Sequence, residues 1–233
     1  MKVIVAIVLV LIVATGYTAF SFTRKVRVST ELTRNTIPFT LKGPRTVSLL
    51  VLGDSTAVGV GARVKEESLA ALFADTIHAT NVENRAVSGA RVHDVLSQTE
   101  TATERAYTYI LLGIGANDIV RLQSAEASAV ELRDALARLP SRDLLIVYSA
   151  GNVGGTRLFP RLINPLYTKI TLEYHDAFRS VVEAEGGIYV NLYESPENDP
   201  FVRDPGRYFA DDGFHPSSAG YRVWHEKILA MLQ

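Results

Sequence analysis

The sequence predicts an α/β fold: a three-layer α/β/α sandwich around a five-stranded parallel sheet, preceded by an N-terminal apolar helix. Three observations lead there. Short apolar runs rich in Val, Ile and Leu recur along the chain, as expected of strands buried on both faces. Segments with apolar residues at helical spacing separate them, and this alternation calls for parallel strands joined by crossover helices. At 233 residues the chain has room for one sizeable core and little for a second.

From Val3 to Thr23 no residue is charged. As a helix rising about 1.5 Å per residue, the stretch spans roughly 31 Å, enough for a bilayer core. Tyr17, Phe20 and Phe22 gather at one end, and Arg24, Lys25 and Arg27 follow, as at a membrane interface. Residues 1–23 are therefore expected to be a transmembrane anchor or a signal segment. The length favours a retained anchor over a cleaved leader, for which Ala14-Thr15-Gly16 offers a weak site. The expected localisation is single-pass membrane-anchored with an extracytoplasmic domain, or secreted if the segment is removed. The basic flank argues for the opposite orientation, whereas the short basic head resembles an ordinary export signal. Residues 24–45, basic and polar with Pro38, Gly43 and Pro44, read as a linker. Residues 46–233 form the domain.

Within the domain, Thr46 to Leu52 is the first strand. It ends in Gly53-Asp54-Ser55 and a loop of small residues. Glu66 to Ala79 places Leu69, Leu72, Phe73 and Ile77 on one helical face. Asn81 to Val87 is the second strand, and a helix is expected over about 91–105. Tyr107 to Ile114 is the third strand, ending in Gly115-Ala116-Asn117-Asp118. Ser124 to Leu139 is helical and closed by Pro140. Leu144 to Tyr148 is the fourth strand, opening into the Gly-rich loop 151–155. A long helix over about 166–186 leads to the fifth strand, Ile188 to Leu192. A polar loop carries Asp211 to Pro216, and Ser218 to Leu232 is the closing helix. Right-handed crossovers then favour a doubly wound, flavodoxin-like order, in which the loops after strands one to three open at the same sheet edge.

Composition narrows the chemistry. A formal net charge of −1 gives no electrostatic case for nucleic acid. Without cysteine there is no disulfide, no thiolate nucleophile and no Cys-based zinc site. No Gly-x-Ser-x-Gly elbow, Walker A sequence or His-Glu-x-x-His occurs, and Gly113-Ile-Gly115 lacks the third glycine of a dinucleotide loop.

Ser55, on a tight turn after a buried strand, is a candidate nucleophile, although Gly-Asp-Ser is also ordinary turn chemistry. His78, His93, His175 and His225 fall in helix-like segments. His215 instead lies in a loop beside Pro216, with Asp212 three residues earlier. That spacing lets a carboxylate hold the imidazole tautomer, or simply makes a turn and a cap. Asp211 is a competitor that the spacing disfavours. Asn117 carries an amide able to donate to an oxyanion, and Gly89 lets a backbone N–H approach a substrate; either also suits a turn.

Gly53-Asp54-Ser55, Gly89 within Asn84-Arg-Ala-Val-Ser-Gly, Gly115-Ala-Asn117-Asp118 and Asp212-Gly-Phe-His215-Pro-Ser together resemble the four blocks of the SGNH (GDSL-type) serine hydrolases, in particular the lysophospholipase/thioesterase-like branch. The likeness spans residues 53–217 and departs from the literal Gly-Asp-Ser-Leu motif only at Thr56. It implies Ser55 as nucleophile, His215 as general base and Asp212 as the orienting acid. It also implies Ser55 N–H, Gly89 N–H and Asn117 Nδ2 as oxyanion donors, with no cofactor and no metal. The implied substrate is a small-molecule or lipid-like acyl ester; the apolar loop residues Val153, Leu158 and Phe159 either lean toward an acyl chain or only pack the loop down. Rival readings are an O-acetyl esterase acting on envelope carbohydrate and a non-catalytic binding domain on the same scaffold. Oligomeric state is not legible.

Overall fold

A computed structural model describes residues 2–232, with side chains from residue 13 onward. Five parallel strands form one sheet: β1 (Ser48–Gly53), β2 (Asn81–Asn84), β3 (Ala106–Gly113), β4 (Ser141–Tyr148) and β5 (Ile188–Val190), in the order β2-β1-β3-β4-β5. All six residues of β1 are buried, because the sheet is covered on both faces. Leu49 and Val51 join the core formed with α3 (Leu69–Thr76) and α10 (Ser218–Met231), through Leu69, Phe73, Tyr221 and Ile228. Leu50 and Leu52 face the other way, into a core shared with α4 (Val95–Glu100), α6 (Ala125–Leu136) and α7 (Asn164–Ala184). Alternate residues of one strand thus serve two cores, each fully buried leucine contributing about 2 kcal/mol. The three-layer sandwich follows.

Local chemistry moves some boundaries. The helix expected over 91–105 shortens to a single 3-10 turn and α4. Its C-terminal half is drawn away by Glu83 of β2, whose carboxylate accepts from Thr103 N–H (2.9 Å), Thr103 Oγ1 (2.6 Å) and Tyr107 Oη (2.6 Å). The polar loop before Asp211 holds two one-turn helices, α8 (Pro200–Arg203) and α9 (Pro205–Tyr208), each entered by a proline whose missing N–H costs nothing there. One-turn helices α2 (Ser55–Val58) and α5 (Ala116–Val120) follow β1 and β3 directly.

The N-terminal reading requires correction. Helix α1 runs over Lys2–Asn35, so residues 24–35, expected within the linker, are helical. Among the described residues no helix is long and apolar enough to cross a membrane. The single-pass membrane anchor, and the membrane as a partner through it, are therefore overturned. The first part of the stretch read as an anchor, residues 1–12, lies outside the described side chains. The remainder continues without a break into Arg24, Lys25, Arg27, Glu31 and Arg34, charges that are costly to bury in hydrocarbon. After α1 the chain turns along the outer edge of β2. There Leu41 and Val82 exchange backbone hydrogen bonds of 3.1 and 2.8 Å, which covers an edge otherwise open to pairing.

Candidate active site

The site forms where β1, β2 and β3 end. Gly53 of β1 is in register with Gly113 of β3, and the Val87 N–H donates to Gly53 O at 2.9 Å. The residues that follow these three points, Ser55, Gly89 and Asn117, are thereby brought to one edge of the sheet. Gly53 has φ +128°, and a Cβ there would fall 1.9 Å from Gly113 O. Only glycine fits.

Asp54 caps the one-turn helix α2. Its Oδ1 accepts from Thr56 N–H (2.9 Å) and Thr56 Oγ1 (2.8 Å). Burial pushes its carboxyl up to about 6, against the opposing pull of the Thr56 hydrogen bonds and the His215 charge. Ser55, presented by this capped turn, is 7% exposed. Its Oγ lies 2.8 Å from His215 Nε2. On the far side of the ring, His215 Nδ1 is 2.6 Å from Asp212 Oδ2. Asp212 Oδ1 accepts the backbone N–H groups of Phe214 (2.9 Å) and His215 (3.0 Å), so both carboxylate oxygens are fixed. Burial raises the Asp212 carboxyl, but the hydrogen bond and charge of His215, with those two N–H groups, more than offset it and leave it below its ordinary 3.8. An ionised Asp212 accepts from Nδ1–H and leaves the Nε2 lone pair facing the serine hydroxyl.

The structure therefore brings Ser55, His215 and Asp212 into one hydrogen-bonded chain. Asn117, at the start of α5, donates its amide to Ala90 O at 2.9 Å, which ties it to the loop carrying Gly89. Gly89 has φ +84°, is exposed, and has no atom within 4 Å of where a Cβ would stand. Asp211 is exposed, with no hydrogen bond to His215 among the described residues. The other histidines lie elsewhere: His175 is buried against Tyr189, and His225 meets Thr76.

Two residues that sequence reasoning missed build the turn. Gln98 of α4 is buried, and its amide makes both hydrogen bonds to Gly53: N–H to Oε1 at 2.7 Å and Nε2 to O at 2.9 Å. It stands in for a neighbouring strand. The only sequence signal was a polar residue on the apolar face of a short helix. The second is Tyr148 of β4, fully buried, whose hydroxyl lies 3.5 Å from Thr56 Oγ1.

The loop after β4 divides. Val153 is buried in the core, while Phe159 stacks on Tyr167 with ring centroids 4.4 Å apart. Beside the triad, Thr56, Asn152, Val153, Phe214 and Trp224 line a small cavity of about 40 Å³.

Comparison with known proteins gives a family and a shared fold. The model of the GDSL-like Lipase/Acylhydrolase family matches residues 51–223. A GDSL-like esterase of Mycobacterium tuberculosis is 29% identical over 200 residues, which make up 82% of this chain and 63% of that protein; the chain thus spans less than two thirds of that relative's length. Among solved structures, an acetyl-xylooligosaccharide esterase from Geobacillus is similar at a TM-score of 0.59 and 17% identity, covering 82% of this chain and 96% of that one. Phospholipase A1 from Streptomyces albidoflavus is similar at 0.59 and 16%, covering 79% and 99%. At such identities these two show the shared fold.

Proposed function

The chain belongs to the GDSL-like lipase/acylhydrolase family, and from that premise we propose that it is a serine ester hydrolase acting through an acyl-enzyme on carboxylic esters. The observation that carries this reading is the chain of two contacts, 2.8 Å from Ser55 Oγ to His215 Nε2 and 2.6 Å from His215 Nδ1 to Asp212.

Ser55 Oγ attacks the ester carbonyl while His215 Nε2 takes its proton. Asp212 holds the ring and stabilises the imidazolium that forms. The developing oxyanion accepts hydrogen bonds from Ser55 N–H, Gly89 N–H and Asn117 Nδ2, each worth on the order of 3 kcal/mol in the transition state. Collapse breaks the C–O bond, and His215 returns the proton to the leaving alkoxide. Water then attacks the acyl-serine by the same route and releases the acid.

The names of similar proteins, an acetyl-xylooligosaccharide esterase and a phospholipase A1, support carboxylic esters as the bond class and leave a short or a lipid-like acyl group as alternatives. The test is covalent labelling. Wild-type protein should react with a fluorophosphonate probe and hydrolyse p-nitrophenyl butyrate, and Ser55→Ala should do neither. Labelling that persists in Ser55→Ala would place the nucleophile elsewhere.

A further inference from the structure

A larger feature that acyl transfer by itself does not use is a groove of about 1120 Å³ between α1 and the loop over residues 152–165. Its lining joins apolar Phe22, Leu158 and Phe159 to cationic Lys25, Arg157 and Arg161. Among the described residues no Asp or Glu lines it. The whole chain carries a formal charge of −1, so the basic lining is a local segregation rather than general basicity.

These three cations lack a carboxylate partner among the described residues. Lys169, which also lines the groove, reaches Glu173 at 3.6 Å. Lys25, Arg157 and Arg161 make no ion pair among the described residues. Lys25 is instead held against Arg157, its Nζ donating to the Arg157 main-chain carbonyl. Partial burial and the Arg157 charge both lower the Lys25 pKa. Two like charges set together repel, and an anion between them turns that cost into attraction, the more so for a guanidinium facing phosphate oxygens.

The groove also runs into the small cavity whose lining includes Thr56 and Phe214, the chain neighbours of Ser55 and His215. Asn152, Thr156 and Phe201 line both it and the small cavity beside Ser55. The Arg157 N–H donates to Gly213 O at 2.8 Å, in the loop that carries Asp212 and His215.

We infer that this groove is the subsite for the non-reacting part of an anionic amphiphilic ester, a single-chain lipid whose alkyl chain lies on Phe22, Leu158 and Phe159 and whose phosphate meets Lys25, Arg157 and Arg161. The substrate assignment rests on the esterase reading, whereas the binding does not.

The experiment has two arms. On full-length Ser55→Ala, calorimetry below the critical micelle concentration compares monododecyl phosphate with uncharged dodecyl maltoside and with inorganic phosphate. The phosphate ester should bind at least tenfold more tightly than either. The preference should fall about tenfold in R157Q/R161Q, and tenfold in the parent between 50 and 500 mM salt, a readout that needs no second variant to fold. Equal binding of the two alkyl probes, binding seen only above the micelle threshold, or inorganic phosphate binding as tightly as its dodecyl ester would each overturn the inference. On the wild type, kcat/KM should favour a lysophosphatidic acid over the monoacylglycerol of the same chain, and R157Q/R161Q should reduce that ratio about tenfold. If neither lipid is hydrolysed while p-nitrophenyl butyrate is, the substrate assignment fails; if p-nitrophenyl butyrate is not hydrolysed either while dodecyl phosphate binds as expected, the esterase reading fails and the anionic groove stands. If both esters turn over with equal kcat/KM, the groove does not select the charge and the inference fails.

Discussion

The amide of Asn117 donates to Ala90 O at 2.9 Å, and a primary amide has two N–H donors. One N–H holds the loop that presents Gly89, and the second is the donor proposed above for the oxyanion. Asn117→Ala should therefore lower kcat by about 100-fold or more while the circular dichroism spectrum and melting temperature stay close to the parent's; unchanged turnover of p-nitrophenyl acetate would remove Asn117 from the oxyanion hole. At this scale the candidate residues were legible because their chemistry is rare. Of five histidines, only His215 lay in a loop with an acid at Asp-x-x-His spacing. The choice of Asp212 over Asp211 also follows from spacing, and in the folded chain Asp212 is fully buried against the ring. Gln98 was not legible, because its role depends on a strand end that is 45 residues away in sequence.

That strand end is the point where elements meet. β1 supplies a buried run, Gly53 supplies the backbone bend, and Asp54 caps α2 so that Ser55 projects from its first residue. Gln98 completes the turn by satisfying both backbone groups of Gly53. Gln98→Leu should leave the buried Gly53 N–H without a partner, at a cost of about 1–3 kcal/mol, since Gly53 O retains its bond from Val87. Urea unfolding would show this as a lower midpoint with an unchanged slope; a midpoint within error of the parent's would mean another group replaces the amide. Strand positions were readable from runs of apolar residues, and the long helix α7 from its period. Short α4 was not, because Glu83 captures Thr103 and Tyr107, a competition between neighbouring elements that no local window contains.

For the molecule as a whole, buried carboxylates set the response to pH. Burial raises Asp54 from 3.8 to about 6. Below pH 3.8 it is protonated in both folded and unfolded chains and has no effect on stability. As pH rises from 3.8 to 6 the unfolded chain releases the proton first, so stability falls, reaching a loss of about 3 kcal/mol above pH 6. Asp54→Asn, which keeps an oxygen to cap α2, should lose less stability over that interval than the parent does. Denaturation midpoints measured from pH 3.5 to 7 check this, and identical pH slopes would contradict the burial of an ionisable Asp54. Asp212 acts with the opposite sign: its carboxyl lies below 3.8, so its contribution is lost only as acid takes pH down through that lower value. The sequence by itself determined the alternation of strands and helices and the four blocks to which the chemistry is assigned by proposal, because buried apolar runs, helical periodicity and glycine-bounded turns are written locally. The tertiary structure alone decided that the loops after β1, β2 and β3 close on one another, that Gln98 and Tyr148 support the serine turn, and that α1 runs on through its charged residues to wall a cationic groove. Those outcomes depend on strand order and on contacts between residues far apart in the chain, which no local pattern specifies.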